Sequence, residues 1–281
     1  PRWGQIVGEA SVGDKLFDHQ WRTIRVERSG EHVVEVALNR PDARNALNGE
    51  LMEELTEAAA LLRLRTDVRA VILTGNDRYF SAGADLSASQ ARVSQTLIES
   101  RRSVMAGPDM CRAWSEIEAV TIAAIEGYCI GGGAALVISC DFRVMGASAY
   151  LRLPEVPLGM NMSWRSIPKI AALVGPSRAK QFVMFGEAVD AAKCLDWGFC
   201  DEAVETGGAL AAARRWADKV AGLPPIPIRM TKEAVNAVTQ ATAQASIYMD
   251  RDQFLLATTS QDYREGVAAF REKRPGKFTG A

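Results

Sequence analysis

The chain has 281 residues, of which 48% are hydrophobic, and its formal net charge is −1. This length supports a large buried core, and the balanced charge without a basic run argues against nucleic acid as the main partner. No apolar run approaches the roughly 20 residues of a membrane-spanning helix, and the N-terminal stretch lacks the apolar region of a signal peptide, so we expect a cytoplasmic protein.

Cysteine and histidine usage narrows the chemistry further. The five cysteines show no metal-type spacing, and their odd number and apolar neighbours indicate reduced, packed thiols. The two histidines, His19 and His32, both lie early in the chain, so a Ser-His-Asp hydrolase or a histidine metal site would have to use one of them. We therefore expect neither a metal site nor histidine-based catalysis.

The N-terminal part of the chain predicts an α/β fold. Residues 1–20 are expected to form a loosely ordered tail or a cover strand. Apolar residues alternate over 21–38 around a serine–glycine turn, which predicts a β-hairpin. A helical apolar stripe follows a capping residue at Asn48, and 69–74 reads as a buried strand. This alternation of helix and strand favours parallel pairing.

Two segments on either side of that helix and strand could approach a ligand. The loop over 39–47 carries Arg40 and Arg44, which could bind phosphate through charge-assisted hydrogen bonds or could simply be solvated. The segment over 80–86 reads Phe-Ser-Ala-Gly-Ala-Asp-Leu, and its small residues allow the backbone to lie close to a ligand.

A glycine triplet between a short apolar strand and a helix-forming run is the centre of the sequence. Gly131, Gly132 and Gly133 place bare N–H groups at a helix N-terminus, where they can bind an anion or an oxyanion that forms during a reaction. A tight turn that needs glycine for close packing is the alternative.

The glycine triplet is followed by a second strand and by a proline-flanked carboxylate. The strand reads Cys-Asp-Phe-Arg-Val over 140–144 and places Asp141 and Arg143 on one face. Glu155 lies between prolines among aliphatic side chains, where burial would raise its pKa and suit it to proton transfer. The alternative is a loop glutamate that faces water.

Helical patterns are predicted both before the glycine triplet and near the C-terminus. Residues 90–117 have a helical pattern with a break at Gly107–Pro108, and Val104, Met105 and Trp114 are candidates to line a pocket. Residues 223–227 read as a stiff linker, and two long helices are predicted over about 228–239 and 243–273.

These motifs together resemble the signature of the crotonase superfamily, the enoyl-CoA hydratase/isomerase family. The order of apolar strand, glycine triplet, Cys-Asp-x-Arg strand and Pro-Glu loop ending in Leu-Gly is kept, and the resemblance runs from about Trp21 to the C-terminus. It implies a spiral of repeated ββα units over 21–222 after the 1–20 tail. It also implies a helical oligomerisation region over 223–281 that forms homotrimers, with dimers of trimers as a further possibility.

The resemblance also assigns roles to residues of this chain. The N–H groups of Ala84 and Gly132 would hold the thioester oxygen of an acyl-CoA, and Glu155 would move protons. CoA would enter as part of the substrate, with no further cofactor. The residues implied in substrate or CoA binding are Arg40, Ala43, Arg44, Ala82, Gly83, Asp85, Leu86, Gly131, Gly133, Ala135, Pro154, Lys273 and Phe278. The last two resemble a tail that reaches a neighbouring CoA, and a solvated charged end is the alternative.

The chain departs from the hydratases of this family at two places. Those hydratases use two glutamates, and the first of the two positions is Ala135 here. One glutamate beside an oxyanion hole is most simply suited to moving a double bond, as in the 3-enoyl-CoA isomerase branch. Hydration or hydration with carbon–carbon cleavage would need a replacement such as Asp85, Glu126, Tyr150 or Asn161, and a CoA-binding protein without activity is a further alternative. The second departure is the bulky stretch 160–164, which should reshape the acyl pocket.

Overall fold

Two β-sheets organise the part of the chain that the structure describes, residues 15–85 and 96–281 of a computed structural model. The sheets contain ten strands within those residues. The strands are β1 (Ile24–Arg28), β2 (Val33–Leu38), β3 (Ala70–Thr74), β4 (Tyr79–Ser81), β5 (Val120–Ile125), β6 (Tyr128–Ile130), β7 (Phe142–Gly146), β8 (Tyr150–Arg152), β9 (Val189–Asp190) and β10 (Glu202–Val204).

Helices fill the connections and the C-terminal region. They are α1 (Gly49–Arg63), α2 (Leu97–Ser103), α3 (Ala106–Ser115), α4 (Gly132–Ile138), α5 (Ser166–Phe185), α6 (Ala191–Trp197), α7 (Ala209–Ala221), α8 (Pro225–Thr239), α9 (Gln244–Ile247), α10 (Asp250–Thr259) and α11 (Gln261–Glu272). Short 3₁₀ turns cover Pro41–Ala43 and Val156–Leu158.

The strand order reveals a spiral of repeated units, as the family resemblance implied. The larger sheet has the order β1-β2-β3-β5-β7-β10 and the smaller one β4-β6-β8-β9. The pairs β3–β4, β5–β6 and β7–β8 each place their first strand in the larger sheet and their second in the smaller one. From β2 to β10 the larger sheet is parallel, because each turn of the spiral adds the next strand in the same direction.

The larger sheet is covered on both faces, which explains its continuous apolar strands. On one face Val33, Ile72 and Ile122 pack against the alanine-rich side of α7. On the other face Val34, Val71 and their neighbours join the main core with α1, α3 and α4.

The predicted hairpin is confirmed, whereas the prediction for the tail before it was wrong where it can be compared. β1 and β2 pair antiparallel, with Val26 opposite Val36. Residues 15–18 are helical, and Leu16 is fully buried in the main core. Burial of one apolar side chain in the core orders this segment, although the segment is polar on average and suggested no fixed structure.

Three predicted helix boundaries differ from the structure. The predicted break in the helical stretch lies at 104–105, between α2 and α3, whereas Gly107 and Pro108 lie in the first turn of α3, where a proline without an N–H causes no loss. Pro225 and Pro227 likewise lie in the first turn of α8 and not in a linker. The predicted helix over 243–273 is three helices, α9 to α11.

Asp141 and Arg143 have structural roles. Arg143 lies in β7, and Asp141 directly precedes that strand. The Arg143 guanidinium is buried and donates hydrogen bonds to the carbonyl oxygens of Phe199 and Cys140 at 2.5 and 2.9 Å. Asp141 accepts from the Thr121 N–H at 2.8 Å and pairs with Lys232 at 2.6 Å. Both side chains therefore tie strand ends to neighbouring elements.

Candidate active site

Two small-residue segments, 81–84 and 131–133, lie directly against each other. A Cβ added to Gly83 would come within 2.8 Å of the carbonyl oxygen just before the second segment. One added to Gly133 would come within 2.8 Å of the Ser81 Cβ. Real Cβ atoms do not approach backbone this closely, so glycine is required for the contact. The fold thus joins the two halves of the predicted oxyanion hole.

The loop over 39–47 is hydrogen-bonded to the first of these segments along its length. The Ala82 N–H donates to the Arg44 carbonyl oxygen at 3.1 Å, and the Leu47 N–H donates to that of Gly83 at 2.8 Å. The Asp85 N–H donates back to the Leu47 carbonyl oxygen at 3.0 Å. The segment predicted to bind CoA is therefore fixed beside the predicted oxyanion donors.

Backbone N–H groups at Ala84 and Gly132 are available to a ligand. Ala84 donates no backbone hydrogen bond to any residue within 15–85 or 96–281. Gly132 is the first residue of α4, where helical N–H groups lack an intrahelical acceptor. Gly131 before it has φ 53° and ψ −120°, a conformation that only glycine adopts readily. The turn at Gly131 aims the start of α4 at the same cavity that Ala84 lines.

A cavity of about 110 Å³ lies beside these groups. It is lined by the oxyanion segments, by α1, by the end of α2 with the start of α3, by Glu155 and the loop after it, and by α10 and α11. The lining residues are Met52, Ala84, Asp85, Ser103, Val104, Ala106, Gly107, Pro108, Gly132, Glu155, Met160, Asn161, Met162, Ser163, Trp164, Arg251, Phe254 and Tyr263.

Glu155 is the acidic group best suited to proton transfer in this cavity. Its Oε2 is buried and has no hydrogen-bond partner among the residues that the structure describes. Its Oε1 would lie 2.9 Å from a Cβ added to Gly131, so the carboxyl group is adjacent to the glycine triplet. Burial raises the pKa of Glu155 to about 7, although its own backbone N–H and the charge of Arg152 act in the opposite direction. The solvated alternative for Glu155 is therefore wrong.

Helix α11 holds the Glu155 loop in place. A Cβ on Gly159 would lie 2.6 Å from the Tyr263 Cα, and one on Gly266 would lie 2.6 Å from the Leu158 carbonyl carbon. These contacts bring backbone against backbone, so the loop cannot shift without moving the helix. The C-terminal region thus shapes the site of its own chain.

Asn161 is a second polar group in the cavity without a protein partner. Its Oδ1 is buried and accepts no hydrogen bond from any residue within the described ranges. Leaving a buried polar atom unpaired costs about 1–3 kcal/mol. Such a cost is ordinarily offset by water or a ligand, so Asn161 and Glu155 mark the cavity as a place where a polar molecule binds.

The structure distributes the predicted binding residues around this site. Arg40 contacts Asp85 at 3.4 Å, so these two form an ion pair beside the cavity. Arg44 is exposed and makes no side-chain hydrogen bond or ion pair with a residue that the structure describes, which leaves it available to phosphate. Ala43 lies in the loop over 39–47, and Ala82 lies in the segment over 81–84 to which that loop is hydrogen-bonded. Pro154 precedes Glu155, and Leu86 lies outside the described residues.

Other predicted residues are not at the cavity. Ala135 and Gly133 are buried in α4 and do not line it. Lys273 follows α11, and Phe278 belongs to a tail that folds back on α11 through bonds such as that from the Gly280 N–H to Asp262 at 2.8 Å. Their predicted role at a neighbouring CoA stays a prediction.

Several weaker candidates are placed elsewhere by the fold. Trp114 is buried and donates to the Leu55 carbonyl oxygen at 3.1 Å, so it belongs to the core and not to the pocket. Glu126 is buried and accepts the Ala209 N–H at the start of α7, and Tyr150 packs beside Tyr128. Neither of them lines the cavity.

Three contributors from the C-terminal helices were missed by sequence reasoning: Arg251, Phe254 and Tyr263. Their spacing on helices is equally typical of core packing, so nothing in the pattern pointed to a site.

Within the described residues no cluster of metal-ligating side chains occurs, and no helix there is long and apolar enough to cross a membrane. All five cysteines are buried and unpaired.

Glu155→Gln should stabilise the folded chain at pH 8. The raised pKa means that the stability contribution of the neutral carboxyl is complete below its ordinary value of 4.5 and is lost as pH rises through about 7. A permanently neutral glutamine avoids that loss, which is on the order of 3 kcal/mol. Urea unfolding of the unaltered protein and of Glu155→Gln at pH 8 and pH 4.5, at one protein concentration, measures the difference in their free energy of unfolding. An equal free energy of unfolding for both proteins at pH 8 would show that the carboxylate is solvated.

Comparison with known proteins agrees with the geometry. The sequence model of the enoyl-CoA hydratase/isomerase family matches residues 28–281. A probable enoyl-CoA hydratase of Mycobacterium bovis is 33% identical over 92% of this chain and 98% of its own. A 2,3-dehydroadipyl-CoA hydratase of Escherichia coli is 31% identical over 89% of this chain and 96% of its own. The crystal structure of an enoyl-CoA hydratase/isomerase from Pseudoalteromonas atlantica superposes with a TM-score of 0.81, at 29% identity, over 92% of this chain and all of the other.

Proposed function

The chain belongs to the enoyl-CoA hydratase/isomerase family, and from that premise we propose that it shifts the double bond of an enoyl-CoA, with Glu155 as the proton-transfer group. The substrate is a 3-enoyl thioester and the product the conjugated 2-enoyl thioester. CoA enters with the substrate, and the reaction needs no other cofactor.

The oxyanion donors carry the electrostatic part of this reaction. The thioester oxygen accepts hydrogen bonds from the N–H groups of Ala84 and Gly132. Removing a proton from C2 spreads negative charge over C2, C4 and that oxygen, and donors already in place stabilise this dienolate more than the ground state. The start of α4 adds the partial positive charge of a helix N-terminus.

Glu155 carries the proton. As a carboxylate it removes a proton from C2, and as a carboxylic acid it returns the proton to C4, so the double bond moves from C3–C4 to C2–C3. No atom is gained or lost, and one carboxyl group is enough. Alanine at position 135 supplies no second acid, which is why hydration by two carboxylates does not transfer to this chain.

A single observation carries the proposal most directly: the unpaired, buried carboxylate oxygen of Glu155 beside the glycine triplet. The test is to incubate the protein with a 3-enoyl-CoA and to separate the isomers by chromatography. We expect a product of unchanged mass with a conjugated double bond. Thioester binding without any isomer formation would contradict isomerisation and would leave a hydratase or a CoA-binding protein without activity.

The rate should depend on pH through Glu155. Because proton removal requires the carboxylate, kcat/KM should rise with pH and level off above a pKa near 7 in the free enzyme. A profile of kcat/KM against pH measures this. Acyl-CoA binding measured to saturation at each pH is the control for a change in affinity. A limb near 4.5 would mean that Glu155 is solvated in the free enzyme.

Hydration of a 2-enoyl-CoA is the second candidate. The relatives named above as hydratases favour it, and so does Asn161, whose buried oxygen could position a water molecule against the double bond. It would still need an acid to protonate C2, a role that Glu155 alone would have to share with activating the water. Hydration with carbon–carbon cleavage makes the same demand.

Assembly and CoA contacts complete the proposal. We propose that the chain forms homotrimers through its C-terminal region, with pairing of trimers as a further step. The Arg44 backbone is held beside the site by the hydrogen bond that its carbonyl oxygen accepts from the Ala82 N–H, and its exposed guanidinium would bind a CoA phosphate. Lys273 and Phe278 would approach the nucleotide of a neighbouring subunit's substrate.

A further inference from the structure

The indole of Trp164 occupies the space between two glycines that border the cavity. A Cβ added to Gly107 would lie 2.3 Å from its Cε2 atom, and one added to Gly132 would lie 2.3 Å from its Cζ3 atom. The benzene part of the indole thus packs on the backbone at the start of both α3 and α4. One of these contacts is with the residue whose N–H is the proposed oxyanion donor.

Backbone geometry holds this indole in place. Trp164 and Arg165 have φ values of 61° and 59°, a left-handed conformation that is uncommon outside glycine and that concentrates at functional sites. The Arg165 N–H donates to the buried Asp250 carboxylate at 3.0 Å, which fixes the loop to the start of α10. The Ser166 hydroxyl donates to the Ser163 carbonyl oxygen at 2.7 Å on the other side.

Little room remains for an acyl group beside the indole. The cavity of about 110 Å³ is smaller than the roughly 150 Å³ apolar cavity that holds a benzene ring, and it lies below the ~300 Å³ of small ligand sites. Phe254 and Met160 also line the cavity, so further large side chains border it. The restriction begins beside Gly132 and therefore close to the thioester.

We propose that Trp164 is the specificity-determining residue of the site and restricts it to short, unbranched acyl groups, with longer chains and aryl rings rejected by the indole. This inference rests on the proposed acyl-CoA site. It does not depend on whether the reaction is isomerisation or hydration, because the indole limits the space available to the bound acyl group in either case.

Binding of saturated thioesters tests the proposal without relying on turnover. Calorimetry with butyryl-, octanoyl- and phenylacetyl-CoA should show the unaltered protein preferring butyryl-CoA. In Trp164→Ala the ratio of octanoyl to butyryl affinity should rise about tenfold or more, the scale at which pockets discriminate chain length. Trp216→Ala, which removes a partly buried indole on α7 away from the cavity, is the matched control and should leave the ratio unchanged.

A second variant keeps the proposal testable if Trp164→Ala folds poorly. Gly107→Ala adds a methyl group against the indole, so it should weaken butyryl-CoA binding about tenfold or more, and Gly107→Ala/Trp164→Ala should recover it. An unchanged octanoyl-to-butyryl ratio in a folded Trp164→Ala, or no recovery in the double variant, would overturn the specificity role. Loss of the proposed isomerisation would instead appear in the unaltered protein as binding without product.

Discussion

Replacing Glu155 with glutamine is expected to lower kcat by about a thousandfold, within the range that one general acid–base group contributes, while CoA-thioester affinity is kept. Glutamine has nearly the same shape, so the cavity and the oxyanion donors stay in place. Its amide cannot accept the C2 proton, so the dienolate does not form. Steady-state kinetics with a 3-enoyl-CoA and calorimetry with butyryl-CoA measure the two parts separately.

A matched control is Glu126→Gln, a second buried glutamate that lies away from the cavity and caps the start of α7. It should retain kcat within about twofold, although some stability is lost with the charge at a helix N-terminus. If Glu155→Gln loses thioester binding together with rate, Glu155 supports the structure and does not move protons. If it keeps its rate, another group is the base, and among the described residues Asp85 is the other carboxylate that lines the cavity.

Replacing Ala84 with proline is expected to lower kcat by about a hundredfold to a thousandfold, because it removes one of the two oxyanion donors. Proline deletes the N–H, which makes no backbone hydrogen bond within the described residues, and its ring also fixes φ at about −65° and restricts Gly83 before it. The flanking bonds of Leu47, to the Gly83 carbonyl oxygen and from the Asp85 N–H, remain possible. The dienolate oxygen should therefore lose stabilisation while the segment keeps its place.

Ala84→Gly keeps the N–H and serves as the control for the altered side chain. It should retain most of the activity of the unaltered protein, since the oxyanion donor is unchanged. Circular dichroism of both variants establishes that the fold is kept. A proline variant with full kcat would place the thioester oxygen elsewhere in the cavity.

Much of the architecture follows from patterns that are local in the sequence. The hairpin is visible in the alternation of Val33 to Leu38, and parallel pairing is visible in largely apolar strands such as Val120–Ile125. The glycine positions were predictable where the backbone adopts a positive φ, 89° at Gly83 and 53° at Gly131. Those positions need glycine whatever surrounds them, so the requirement can be predicted from the sequence alone.

The remaining parts of the site depend on contacts between distant segments. Tyr263 lines the cavity because Gly159 and Gly266 let α11 cross the Glu155 loop, and no periodicity encodes that crossing. Helix breaks at 248–249 and 260 were missed because amphipathic patterns continue across them. The prediction that bulky residues at 160–164 reshape the pocket agrees with the position of Trp164, but its contacts with Gly107 and Gly132 could not be read from the sequence.

The most direct test of the central claim is the mass of the product formed in oxygen-18 water. The protein is incubated separately with a 3-enoyl-CoA and with the corresponding trans-2-enoyl-CoA, and Glu155→Gln is run beside it. We expect migration of the double bond in both directions, no uptake of label, and no reaction in the variant. A product heavier by one labelled water would contradict isomerisation and identify a hydratase in which Glu155 acts with a group other than a second glutamate.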